Sequence, residues 1–208
     1  VLAFIRSVIA ALFVFAYPYL VYRGIAGGMA WLAPSIFSLF YLRQAFLSKN
    51  LPVKLVKAVI AGLFLSGALW LPALMAKLIP VLVQLMLMYV FGRTLFYGAP
   101  LIERFMRFDY PVLPEPFKVY ARQLTLIWTA FFAFNAIVCT VLAIGGSDIG
   151  WAFYNGVMIY VLTAALVVGE YIYRPFRFPD REIPSPGAML RNMIVNGRSI
   201  WTDVYGQK

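Results

Sequence analysis

Long uncharged apolar runs alternate along this chain with short clusters of charge. Such runs occupy 7–22, 24–42, 58–76, 78–92, 123–147 and 149–169. Each approaches the roughly 20 residues that a helix needs to cross the hydrocarbon core of a bilayer. With the polar ends that a helix carries into the headgroups, the pattern predicts spans near 2–22, 24–42, 58–76, 78–97, 123–147 and 149–172. The first extends past Arg6, which can snorkel from a helix end, and is read as a retained helix rather than a signal peptide. Continuous runs such as 58–76 exclude an outer-membrane barrel, whose strands alternate polar and apolar residues over about ten positions. The predicted fold class is therefore an all-α integral membrane protein with about six transmembrane helices plus cytoplasmic interfacial amphipathic helices. Residues 1–178 form the six-span domain, including a cytoplasmic loop at 98–122, and 179–208 form a cytoplasmic amphipathic tail.

Composition agrees with this pattern. The chain has 208 residues, of which 63% are hydrophobic and 12% charged, and its mean hydropathy is +0.83. A water-soluble domain cannot hide that much apolar surface, whereas lipid accepts it and requires only that backbone hydrogen bonds close internally. The net charge of +10 would suggest nucleic acid in a soluble protein. Its distribution points elsewhere, and no nucleic-acid partner is expected. Sixteen of the 18 Lys and Arg residues fall on one side of the six-span scheme, with only Arg23 and Lys77 on the other. The excess of basic residues on cytoplasmic loops gives the orientation: a bacterial inner-membrane protein with both termini in the cytoplasm.

Histidine is absent and Cys139 is the single cysteine, set inside an apolar run. This disfavours histidine acid–base catalysis and His-ligated metal or haem sites, so no cofactor is expected. Phosphate-loop, dinucleotide, zinc and nucleophile-elbow motifs are missing. No catalytic constellation is recognisable.

Two segments carry basic charge on apolar helical faces. In the loop, Pro100 suits a first helical turn, and Leu101, Ile102, Phe105, Met106 and Phe108 share one broad face. With Glu103, Arg104 and Arg107, this predicts an interfacial helix whose basic residues sit among headgroups. Pro111, Pro114 and Pro116 then favour an extended link. Arg93, Glu103, Arg104, Arg107, Lys118 and Arg122 are the candidate docking residues for an acidic partner or anionic lipid. In the tail, Ser185 and Pro186 can start a second amphipathic helix through Met189, Leu190, Met193 and Ile194.

Polar side chains inside spans are costly and are singled out for that reason. Gln84, Asn135 and Asn155 are candidate intramembrane polar contacts, suited to hydrogen bonding between helices or to lining a cavity. Glu170 lies four residues before Arg174, the favourable order for a helical ion pair. Small-residue spacings at Gly24–Gly28, Gly62–Ser66 and Ala152–Gly156 would permit close helix approach.

The segments Phe91-Gly92-Arg93-Thr94-Leu95, Gly98-Ala99-Pro100-Leu101-Ile102-Glu103-Arg104 and Asp109-Tyr110-Pro111-Val112-Leu113-Pro114 are followed by Trp128, Phe131, Phe132, Asn135, Asn155-Gly156 and Gly169-Glu170-Tyr171. Together, mainly over 91–178, they resemble a family of bacterial multi-pass membrane proteins encoded in aryl-polyene-type gene clusters beside fatty-acid-synthase-like enzymes. Members are sometimes labelled ketosynthase. This chain lacks the histidines and the accessible cysteine such an enzyme uses, so that activity is not carried over. The resemblance implies a membrane accessory or scaffold in making, anchoring or exporting a polyene or fatty-acyl lipid. Its partners would be membrane lipid and an acyl carrier protein or other pathway enzymes. A basic face would attract an acidic carrier protein and anionic phospholipid alike. A lipid transporter or flippase, and a lipid-modifying enzyme, are the alternatives.

Overall fold

A computed structural model of the chain describes residues 15–109, 113–179 and 187. The start of the first span with Arg6, the loop proline Pro111 and the tail helix expected after Ser185 lie outside the described residues. Among those described, the chain is helical, with no strand. In chain order the elements are α1 (15–26), α2 (Leu32–Leu47), α3 (Leu51–Trp70), α4 (Pro72–Phe96), α5 (Leu101–Asp109), α6 (Glu115–Gly145), α7 (Asp148–Phe153), a π-helical turn (Tyr154–Met158) and α8 (Ile159–Arg177).

Local chemistry sets the boundaries, and several differ from those suggested by charge alone. The first turn falls after residue 26, where Gly28 adopts φ +70°, a conformation that costs glycine little. The second helix therefore runs over Leu32–Leu47 instead of 24–42. Asn50 caps α3 by accepting the Val53 N–H at 3.4 Å, and Pro52 is tolerated in the first turn. The helix accordingly begins before 58. Between α3 and α4 the break lies at Leu71 (φ −140°, ψ 54°), not at Lys77. Steric conflict with Pro72 pushes the preceding residue out of the helical region, leaving Lys77 inside α4. Ser147 caps α7 through the Gly150 N–H at 3.2 Å.

Four helical segments among the described residues are long and apolar enough to cross a membrane: Leu51–Trp70, Pro72–Phe96, Glu115–Gly145 and Asp148–Arg177. The α2 helix is apolar but has 16 residues, about 24 Å of rise against a hydrocarbon core of about 30 Å. The surface is that of a membrane protein. Leu69, Trp70, Ile137 and Ile144 are more than 60% exposed, whereas Asn135, Thr125, Thr94 and Cys139 are fully buried. Polar and small groups turn inward when the surroundings are hydrocarbon, because that is where they find partners.

The chain forms two compact units. One comprises Val1–Leu82 with Ala136–Thr163, the other Val83–Asn135 with Ala164–Lys208. The core of the first gathers Tyr17, Val21, Phe64, Ala76, Ile79, Ala143 and Trp151, with Phe37 stacked on Phe64 at 5.4 Å. Pro80 lies inside α4 and has no N–H to offer the Ala76 carbonyl one turn earlier. The Tyr17 hydroxyl donates to that carbonyl at 2.8 Å, and the Trp151 indole N–H donates to the next one, Lys77, at 3.2 Å. The Lys77 ammonium reaches the Asp148 carboxylate at 2.5 Å. This ion pair joins the early turns of α4 to the start of α7. Gly156 faces α1, where an added Cβ would lie 3.6 Å from Pro18. By contrast, nothing among the described residues lies within 4 Å of a Cβ at Gly62.

Candidate functional site

The second unit is organised around the short helix α5. Its first backbone N–H groups need acceptors from outside the helix. Thr94 of α4 accepts the Leu101 N–H at 3.0 Å, and Thr125 of α6 accepts the Ile102 N–H at 3.3 Å. Each threonine hydroxyl in turn donates within its own helix, Thr94 to Phe91 and Thr125 to Ala121. These bonds seat α5 inside the unit. Leu101, Glu103, Arg104 and Met106 are all buried.

Two of the expected docking residues of α5, Glu103 and Arg104, thus lie inside the unit and not among headgroups. The Arg104 guanidinium, expected among headgroups, turns inward and donates to the Ala99 carbonyl at 2.8 Å. Glu103 is buried and accepts from Arg107 at 2.6 Å, and only Arg107 of this group remains half exposed. Five apolar residues and two threonine caps draw the helix in, and the two charges nearest its start go with it. Arg93 is partly buried on α4. Lys118 pairs with Glu115 at 2.5 Å, and Arg122 is exposed on α6.

The intramembrane amides have separate fates. Asn135 donates to the Phe131 carbonyl of its own helix at 2.8 Å. Within the first unit, Asn155 lies in the π turn, donates to Trp151 at 2.9 Å and accepts the Cys139 thiol at 3.2 Å, linking that turn to α6. Gln84 is buried, and its amide oxygen has no hydrogen-bond partner among the described residues.

The Glu170–Arg174 pair forms as the spacing predicts, with Arg174 Nε at 2.8 Å from the carboxylate and its terminal nitrogen at 2.6 Å. The structure adds a third member. The Tyr120 hydroxyl of α6 donates to the same carboxylate oxygen at 2.8 Å, across 50 residues of sequence. Both charged side chains are about nine-tenths buried, so each needs the other and its hydrogen bonds to offset lost hydration. Around this triad, Tyr120 packs edge-on against Phe178 at 5.3 Å, and Phe117 stacks on Phe178 at 4.0 Å. These contacts hold the last turn of α8 beside the first turns of α6.

Between those turns lies a groove of about 410 Å³. Leu124, Ile127, Ala165 and Leu166 form its apolar wall, while Tyr120, Gln123, Glu170 and Arg177 supply polar groups. The lining positions on α8 recur at helical spacing, which places them on one face. Glu170 is engaged by tyrosine and arginine and acts as an anchor; Arg177 is exposed beside the groove, 5.6 Å from the Phe178 ring. Such a mixture suits an amphipathic molecule with an apolar body and a polar end. Sequence reading isolated Glu170 and Arg174 but missed Tyr120, Gln123 and Arg177. Only a helical wheel of 166, 170, 173 and 177 could have grouped part of the set.

Among the described residues, no three His, Cys, Asp or Glu side chains come together as a metal site. No protein-family model matches the chain, and neither a curated protein nor a solved structure does.

Proposed function

We propose that this chain is a non-enzymatic accessory of a polyene or fatty-acyl lipid pathway in a bacterial inner membrane, holding an amphipathic acyl lipid in the groove beside Glu170. The observation that carries this reading is the groove itself: an apolar wall of Leu124, Ile127 and Leu166 adjoining Gln123, Tyr120 and Arg177. A lipid can bury its tail on the wall and satisfy its head at the polar end. The proposed topology has six spans with both termini cytoplasmic. The Lys77–Asp148 pair supports one part of it, two crossings between these residues, because the early turns of α4 and the start of α7 that it joins then lie on one side of the membrane. The exposed Arg122, Arg177 and Arg107 leave a basic surface for an acyl carrier protein or anionic lipid. Transport is the less favoured reading, since Gln84, Asn135 and Asn155 do not line this groove.

The test uses Gly169, which lines the groove and has nothing among the described residues within 4 Å of an added Cβ. A Gly169→Leu variant should fill the space without a clash at the first carbon. Photocrosslinking of the full chain by a diazirine-bearing fatty-acyl probe should then fall by about fivefold, the equivalent of one or two buried methylenes' worth of binding. Undiminished crosslinking at residues 124–127 and 165–169 would overturn the proposal.

A further inference from the structure

A second groove lies in the first unit, between α1 and α2, with a volume of about 840 Å³. Its walls include Leu20, Ala26, Met29, Ile36, Phe37 and Phe40. Glycines and alanines near the turn make room there, since Gly24, Gly27 and Ala30 also line it. The volume falls within the usual range for ligand sites, about 300–1,000 Å³. Arg23 is the one charged residue among the described lining, and no acidic residue joins it.

Arg23 also stands out by its charge. On the proposed topology, Arg23 and Lys77 are the two basic residues on the side that is otherwise free of them. Lys77 is accounted for by Asp148. Arg23 is exposed at the end of α1 and forms no ion pair among the described residues. A guanidinium at that level, above an apolar slot, is complementary to a phosphate whose ester chain enters the hydrocarbon.

We propose that the α1–α2 groove binds one acyl chain of an anionic membrane phospholipid, with Arg23 holding its phosphate. This site is separate from the Glu170 groove; it rests on the proposed topology for the charge argument and on geometry for the rest. Hydrocarbon supplies the occupant, because a slot walled by Leu20, Ile36 and Phe40 gains nothing from water. The fixed charge favours an anionic headgroup, because a snorkelling arginine meets lipid phosphates at the interface and in phosphatidylcholine the adjoining quaternary ammonium offsets the phosphate's charge.

The experiment is native mass spectrometry of the full chain released from bilayers of phosphatidylglycerol or phosphatidylcholine, counting retained lipids. Arg23→Gln should lower phosphatidylglycerol retention by about tenfold, the loss of one charge-assisted contact, and alter phosphatidylcholine far less. Ala26→Trp, at an exposed lining alanine, should reduce retention of both by occupying the slot. Arg43→Gln, an exposed arginine outside the groove, should leave retention unchanged. Equal losses for Arg23→Gln and Arg43→Gln would mean general surface attraction and overturn the site. Unchanged retention in Ala26→Trp would also overturn it. Gly169→Leu is expected to keep this lipid, so failure at one groove is distinguishable from failure at the other.

Discussion

The Tyr17 hydroxyl donates at 2.8 Å to the carbonyl of Ala76, the group that Pro80 deprives of its helical donor. The two residues lie 59 positions apart, yet the bond is explained by one missing N–H. Ala76 is buried in the core of the first unit, so its carbonyl is shielded from water and the neighbouring helix supplies the donor. The tyrosine of α1 thus answers the carbonyl that Pro80 leaves open inside α4.

This relationship makes a conditional prediction. Tyr17→Phe should destabilise the protein by about 0.6–1.5 kcal/mol, the range for one hydrogen bond in membrane and soluble proteins. In a Pro80→Ala background, the alanine introduced there brings a backbone N–H that can itself donate to the Ala76 carbonyl, and the same tyrosine substitution should cost little. Reversible unfolding in mixed micelles across the four variants would measure the coupling. Equal costs in both backgrounds would refute the capping role.

Breaking the buried ion pair on one side should hurt more than removing it whole. Glu170→Gln removes the carboxylate charge that pairs with Arg174, whose side chain is 7% exposed, and should cost about 3 kcal/mol. The double variant Glu170→Leu with Arg174→Met should recover most of that, since apolar residues need no hydration. Unfolding midpoints read this out. A double variant as unstable as the single one would show that the charges themselves are required.

Orientation can be read by labelling, because native Cys139 is fully buried and should be silent. Met29→Cys and Tyr97→Cys introduce thiols at exposed positions, in the first turn and after α4. In intact cells an impermeant maleimide should label residue 29, while residue 97 should react only after permeabilisation. The opposite pattern would reverse the proposed topology.

Helical class and membrane character were legible from the sequence, because both follow from local properties. A run such as 123–147 is apolar whatever it touches, and its backbone must close its own hydrogen bonds in lipid. The Glu170–Arg174 pair was legible for the same reason, since four residues of helix bring the two side chains together. Even the α3–α4 break was written locally, in Pro72, although charge pattern drew attention to Lys77 instead. What tertiary structure alone decided is which polar group answers which. Tyr17 with Ala76, Lys77 with Asp148 and Tyr120 with Glu170 carry no mark in sequence spacing, since helices separated along the chain meet only through packing. Arg104 shows the reverse case. Its sequence suits a headgroup contact, yet Thr94 and Thr125 anchor α5 and carry that charge inside. A local pattern states what a side chain could reach; the fold determines what surrounds it.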